Sequence, residues 1–254
     1  MPEINFVTRY AGPLSELTCL SQSAGCRSDY VQGGGGNTSC KLDDTLMAIK
    51  ASGFQLSQIR PDHGYAVIDY PQLRAFYQEN DPARLPDVEQ AGSAAAKDAT
   101  RTVEGLPALR PSVEAGFHAL LDAFVLHTHP VYGNLLTCAA EGPQIASDVM
   151  APTGLPFAFV PYINPGAQLT FAIRDARQAA ARNGVLPPVI FLQNHGVIVT
   201  GPTASFCLEL HDQVNAAVAA YFNVSPTAWP DLNIVPVSPC GNGSDTAYRT
   251  DTPR

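Results

Sequence analysis

The chain has 254 residues, 45% of them hydrophobic, with a formal charge of −8 at pH 7. That length suits one large α/β domain or two small ones, and the apolar share is enough for a sizeable core. The acidic balance argues against a broad nucleic-acid or anionic-membrane footprint, while leaving room for a small local anion site. No apolar stretch reaches the roughly 20 residues needed to span a bilayer. The opening residues, MPEINFVTRY, lack the basic start and apolar core of a signal peptide. Cys19, Cys26, Cys40, Cys138, Cys207 and Cys240 have no CxxC spacing. They read as free thiols in a reducing cytoplasm rather than as a zinc–cysteine site.

In chain order, residues 12–26 read as a helix with Leu14, Leu17 and Leu20 at helical spacing. A Gly run, GGGGNTSCKL, follows, then a short buried strand over Leu46–Ile49. Residues 64–70 are a second strand and 71–80 a helix. Residues 82–103 are Ala-rich and read as helical, with no domain boundary. PSVEAGFHALL, residues 111–121, opens with Pro and Ser and turns periodic, which marks a helix start. AFVLHTH (123–129) is a strand, YGNLLTCAA (132–140) a helix and FAFVPY (157–162) a strand. Residues 165–184 form a helix closed by Asn-Gly. PPVIFLQNHGVIVTG (187–201) is two apolar runs interrupted by Gln-Asn-His-Gly, and 203–222 is a long last helix. From Asn223 the chain carries five prolines and reads as an irregular tail. The division is therefore a domain over 1–222 and a tail over 223–254. Strands alternating with helices give an α/β class. GxGxxG and GxxxxGK[ST] are both missing.

Four segments carry chemistry-bearing residues. In FVLHTHPVYGN, His127 and His129 are two apart at the end of an apolar run, and residues i and i+2 of a strand face the same way. His195 interrupts the apolar runs of FLQNHGVIV and offers a third imidazole for a metal site with an open position. His118 and His211 read as packed helix residues and His63 as a turn residue. Gly33–Gly36 and Asn37 can turn backbone N–H groups and an amide towards an anion. Lys50, Ser52 and Gly53 follow a buried strand, where ligand contacts are common. Ser112 lies near a helix start with Glu114 in its first turn. There Glu114 either stabilises the helix terminus or acts as a base.

The order GGGN-T-S, K-x-S-G, PS-x-E, HxH, NHG resembles the class II aldolase/adducin family over residues 12–222. The resemblance implies a three-layer α/β/α fold with a central, mainly antiparallel sheet. It implies His127, His129 and His195 as ligands of Zn2+, with Mn2+ or Co2+ as substitutes, and Glu114 as catalytic acid/base. It implies Gly36, Asn37, Ser52, Gly53 and Ser112 as phosphate contacts, with Lys50 serving the phosphate electrostatically. The implied reaction is reversible aldol cleavage of a ketose 1-phosphate, of the rhamnulose- or fuculose-phosphate kind, through an enediolate. The implied assembly is a cytoplasmic homo-oligomer, a tetramer favoured, acting on a small-molecule sugar phosphate.

Alternatives on the same scaffold are a sugar-acid phosphate decarboxylase, a dehydratase, a 4-epimerase, or a non-catalytic adducin-type module. The intact histidines and Glu114 argue against the last. Three departures from the aldolase pattern stand out. Val113 replaces a serine common in relatives. KASG is closer to the epimerase loop. Tyr132 and Tyr162 are candidates by sequence alone for the tyrosine some aldolases supply.

Overall fold

Phe124 and Leu126 face one side of their strand and Val125 the other, yet all three are buried. Strand positions of both parities therefore need cover, and helices on both faces of one sheet supply it. The computed structural model describes residues 5–224 together with 234–237 and 247–250. The elements are α1 (Phe6–Arg9), α2 (Ala11–Gly25), β1 (Asn37–Lys41), β2 (Leu46–Lys50), β3 (Tyr65–Asp69), α3 (Tyr70–Glu79), α4 (Val88–Ala99), β4 (Thr100–Arg101), α5 (Ala115–Leu120), β5 (Phe124–Thr128), α6 (Val131–Thr137), α7 (Gly142–Met150), β6 (Phe157–Val160), α8 (Ala167–Ala179), β7 (Val189–Leu192), β8 (Gly196–Gly201) and α9 (Ala204–Tyr221). β9 (Ile234–Val237) and β10 (Ala247–Thr250) follow in the C-terminal segment.

Eight strands form one sheet in the order β4-β3-β2-β1-β5-β8-β7-β6. Every neighbouring pair is antiparallel except β6–β7. On one face Leu14, Leu17 and Leu20 of α2 and Cys207, Leu210 and Val214 of α9 pack with Leu126 and Val199. On the other face Leu73 and Tyr77 of α3, Ala115 and Ala119 of α5 and Phe171 of α8 pack with Met47 and Ile49. Phe117, Leu169 and Ile173 extend that layer over Val125 and Ile198. The fold is a three-layer α/β/α sandwich around a mainly antiparallel sheet.

Local signals set several ends. Asp69 caps α3 through Gln72 N, with Pro71 at its start. Thr203 caps α9 through Phe206 N. The start of α8 is capped from a distance, because Glu89 of α4 accepts from Ala167 N and Gln168 N. That carboxylate ties two helices of one layer together.

The structure differs from the sequence reading in particular places. NTSCK is a central strand, β1, although its first three residues are polar. Residues 82–103 divide into a 3-10 turn at Pro82–Arg84, α4 and the short edge strand β4. α7 was not expected at all. α5 begins at Ala115, so Glu114 is its N-cap residue and not part of its first turn. Within the stretch read as irregular, β9 and β10 form a two-stranded antiparallel sheet. The proposed division at residue 222 falls at the end of α9, and the rest of the tail lies outside the described residues.

Candidate metal centre

β1 and β5 run antiparallel at the middle of the sheet with Asn37 opposite His127. β5 pairs on its other side with β8, placing His127 opposite Ile198. The site is built at this end of these three strands. His127 lies within β5, on the face covered by α5. His129 follows one residue past the strand end. His195 comes from the tight turn between β7 and β8, where Leu192 pairs with Gly196. Asn194 in that turn has φ +53°, a left-handed conformation that asparagine tolerates. Gly196 is required by close approach: a Cβ there would lie 2.2 Å from the Thr128 carbonyl oxygen. The sequence Asn-His-Gly thus turns the chain, presents an imidazole and lets the turn press against the end of β5.

The three rings have centroid separations of 5.0, 4.9 and 4.9 Å. Their donor atoms lie within 4.8 Å of one another. His127 is fully buried, and its Nδ1 lies 3.1 Å from the Val197 carbonyl oxygen. A carbonyl only accepts, so Nδ1 carries the proton and Nε2 keeps its lone pair for a ligand bond. Burial, then His129, holds His127 down to about 3, so it is neutral at pH 7. Burial also lowers His129, against an opposing pull from Glu114. His195 is lowered by burial and by His127.

Glu114 is 6% exposed and closes the site. Its Oε2 is 3.6 Å from His127 Nε2 and its Oε1 is 3.5 Å from His195 Nε2. Its side chain does not cap α5. Instead Asn37 Nδ2 donates to Oε2 at 2.6 Å. Asn37 Oδ1 accepts from His118 Nε2, and the Ser39 hydroxyl donates to His118 Nδ1 at 2.7 Å. The chain Ser39–His118–Asn37 therefore fixes one oxygen of Glu114. The other oxygen, Oε1, is buried without a hydrogen-bond partner among the described residues, as is His195 Nδ1. Buried polar atoms are rarely left so, since an unmade bond costs about 1–3 kcal/mol. Neutral imidazoles and an unpartnered carboxylate oxygen around one space fit a divalent cation, which bonds nitrogen at about 2.0–2.1 Å in the case of zinc.

These features match a known group of sequences. The profile of the class II aldolase and adducin N-terminal domain matches residues 15–222. The chain belongs to that family.

A Bacillus subtilis (strain 168) protein described as the uncharacterized oxidoreductase YuxG is 27% identical over 221 residues. The match covers 83% of this chain and 30% of that protein, so the chain spans less than a third of this curated relative. Among solved structures, the N-terminal class II aldolase domain of a conserved Thermoplasma acidophilum protein is similar at a TM-score of 0.67 and 23% identity. That match covers 82% of this chain and 93% of the other. A sugar-phosphate aldolase from Thermotoga maritima is similar at a TM-score of 0.58 and 13% identity, covering 86% and 99%. At these identities the structures establish the shared fold. Family members are generally lyases that use a divalent metal, and no described helix of this chain is long and apolar enough to cross a membrane.

The other residues singled out in the class II aldolase-like sequence distribute unevenly. Gly36 has φ +70°, and a Cβ on it would lie 2.7 Å from the His127 carbonyl oxygen, so it holds the Gly loop against β5. Ser112 Oγ is 3.3 Å from Asn37 Nδ2 and accepts from Glu114 N. Lys50 is buried, and its Nζ donates to the carbonyl oxygens of Phe54 at 2.6 Å and Gly34 at 3.4 Å. It ties the Gly loop to the β2 turn, and burial lowers its pKa against the pull of Glu114. Ser52 N donates to Arg110 O, which brings the exposed Ser52 beside Pro111 and Ser112. Gly53, at φ +90°, turns outward next to it.

Tyr132 is buried, and Tyr162 is exposed with its hydroxyl on Asn164. The Asn164 contact holds Tyr162 away from the Glu114 network. His63 packs edge-on against Phe54. The roles of Ser39 and of the Val197 carbonyl were missed in the sequence. No short motif signals them, because both depend on which strands become neighbours.

Proposed function

We propose that the chain is a zinc-dependent lyase that reversibly cleaves a ketose 1-phosphate, with Glu114 as acid/base and His127, His129 and His195 as the metal ligands. The observation that carries this reading is the asymmetry of Glu114. Asn37 holds Oε2, while Oε1 is buried, unpartnered and beside the imidazoles. A divalent ion held by the three histidines would supply Lewis-acid polarisation of substrate oxygens. Glu114 Oε1 takes the proton from the donor carbon in the condensation direction and returns it after cleavage of the C3–C4 bond. Asn37 and His118 keep that carboxylate oriented through both steps. The Gly33–Gly36 loop, with Ser52, Gly53 and Ser112, receives the phosphate, and Lys50 fixes the shape of this pocket through the Gly34 and Phe54 carbonyls. The reading places the protein in the cytoplasm as a homotetramer.

A second reading has its own observation. Asn37 spends its amide on Glu114 and Ser112, and Val113 stands where a hydroxyl is expected, so side-chain donors for a phosphate are few. A sugar acid that presents a carboxylate suits such a pocket, and the reaction is then decarboxylation or dehydration. One experiment separates the readings. Metal-stripped and zinc-restored protein are incubated with phosphorylated ketoses and with sugar acids. Two carbonyl fragments, formed only after zinc is restored, are expected. Release of carbon dioxide from a sugar acid would replace the first reading with the second. Cleavage that survives complete metal removal would overturn the assignment of the histidines.

A further inference from the structure

A cluster of charged side chains lies at the opposite end of β1. β1 runs from Asn37, beside the tripod, to Lys41, a distance of about 13 Å at the usual strand rise. Beyond Lys41 is a cavity of about 510 Å³, within the size range of small-ligand sites. Lys41, Arg74 and Arg177 line it together with the carboxylates Asp43, Asp44 and Asp122 and with Tyr70, Leu120 and Leu186. Arg177 is matched by Asp122 at 2.8 Å and by the Pro187 carbonyl. Among the described residues, Lys41 and Arg74 form no ion pair with a carboxylate. Lys41 Nζ donates to the His118 carbonyl and to Met47 Sδ at 3.2 Å, and Arg74 Nε to the Ala119 carbonyl at 2.8 Å. Both cations lie over the Tyr70 ring, at 4.8 and 4.9 Å from its centroid. Asp43, also on the wall, is committed to Tyr10, Thr45 and Leu46.

Among the described residues, the terminal nitrogens of Arg74 and the one remaining hydrogen of Lys41 are therefore left to face the cavity. Asp122 is taken up by Arg177 and Asp43 by its own turn, so of the three wall carboxylates the exposed Asp44 is left to offset these two cations. Burial and then Arg74 push Lys41 down to about 7, with Asp122 pulling the other way. We propose that Lys41 and Arg74 form a second binding site that takes a small organic anion. Its oxyanion head bonds Lys41 Nζ and the Arg74 guanidinium, and its apolar part rests on Leu120 and Leu186. Carboxylates and phosphate monoesters share the required head. The inference does not depend on the reaction assigned to the tripod.

Lysine mapping tests it, because Lys41, Lys50 and Lys97 are the only lysines in the sequence. Pyridoxal 5′-phosphate, an anionic aldehyde, is added at neutral pH and the product reduced with borohydride. The aldehyde carbon bonds Nζ, its oxygen leaves as water, and hydride converts the imine to a secondary amine. Peptide mapping is expected to find Lys41 labelled faster than Lys97. Millimolar inorganic phosphate or benzoate should slow labelling of Lys41 about tenfold, the scale of one hydrogen bond to a charged group, and leave Lys97 unchanged. Protection by phosphate alone marks a phosphate-type head, and protection by benzoate marks a carboxylate with an apolar body. Arg74→Gln should abolish the protection. Equal labelling of Lys41 and Lys97, with no protection of Lys41 in the wild-type protein, would overturn the site, and that measurement needs no variant to fold.

Discussion

Neighbouring residues of β5 serve two histidine clusters on opposite faces of the sheet. Thr128 faces α9, where His211 Nε2 donates to its hydroxyl at 2.6 Å and Asn215 Nδ2 donates to His211 Nδ1 at 3.3 Å. Asn215 Oδ1 accepts from Gly133 N, so the cluster closes on itself. His127 faces the other way, towards His129 and His195, and there the accounts do not close. His127 Nε2 and His129 Nε2 are 3.2 Å apart, and with the His127 proton on Nδ1 only His129 can donate between them, which closes neither Glu114 nor His195. Glu114 Oε1 and His195 Nδ1 have no partner. Both clusters are buried and both hold their imidazoles neutral. Burial and depressed pKa values therefore do not distinguish a structural histidine from a ligand. The match of donors to acceptors does.

The strongest way to break this comparison is to remove one imidazole from each side. His195→Ala, like His127→Ala or His129→Ala, should lose bound zinc and activity together, because three ligands leave no redundancy. Metal content by elemental analysis and turnover on the same sample read both. Zinc at full stoichiometry in purified His195→Ala would show that the unclosed cluster is not a metal site.

Glu114→Gln sharpens the comparison within the site. The amide keeps the volume and can still meet Asn37, but it cannot accept a proton. Turnover should fall by roughly 100-fold or more while zinc stays bound. Turnover equal to wild type would remove Glu114 from the chemistry and leave the unpartnered Oε1 unexplained.

His211→Ala is the opposite probe. It leaves Thr128 and Asn215 without a partner and opens a cavity, so stability should fall by about 2–4 kcal/mol with zinc content unchanged. Burial holds His211 near 3 in the fold, against 6.5 for the free side chain. Between those values the unfolded chain binds the extra proton. Wild-type stability is thus retained above pH 6.5 and lost as pH falls towards 3, by about 1.4 kcal/mol per unit for this one group. Urea unfolding of the zinc-free protein across that range should show a shallower acid limb for the variant. Identical limbs would mean that His211 titrates normally and that its cluster is not closed.

Much of this was legible in the sequence because apolar periodicity reports local structure directly. The strand at 123–129, the last helix and the helix over 165–184 each carry such a signal. The order of motifs singled out the three imidazoles and Glu114, which the fold brings within a few ångströms of one another. β1 was hidden because Asn37, Thr38 and Ser39 are buried polar residues, and their hydrogen-bond partners come from strands and helices far along the chain. For the same reason Asn37 read as a ligand contact, whereas its amide reaches Glu114 and His118. Lys50 read as serving a phosphate electrostatically, and only the packed structure reveals the Gly34 and Phe54 carbonyls on its ammonium group. A motif names which residues gather. It does not say which of their atoms are already spent.

The smallest effect is expected at Val113, and it bears on what the site receives. Val113 is 69% exposed although its neighbour Glu114 is buried, so its side chain contributes little to the core. Val113→Ser should change stability by no more than about 0.5 kcal/mol, the usual limit for a surface substitution. Beside Ser112 it adds a hydroxyl to the proposed phosphate pocket. One further hydrogen bond to a charged group, partly shared with water, should tighten inhibition by inorganic phosphate by a few-fold, about 1 kcal/mol. A carboxylate inhibitor bound elsewhere in the site should not respond. Tighter phosphate binding with unchanged carboxylate binding would place the phosphate at the start of α5, next to the closed Ser39–His118–Asn37 chain. Equal inhibition by phosphate in both proteins would instead mean that the anion does not reach residue 113, and the sugar-acid reading would gain by the same measurement.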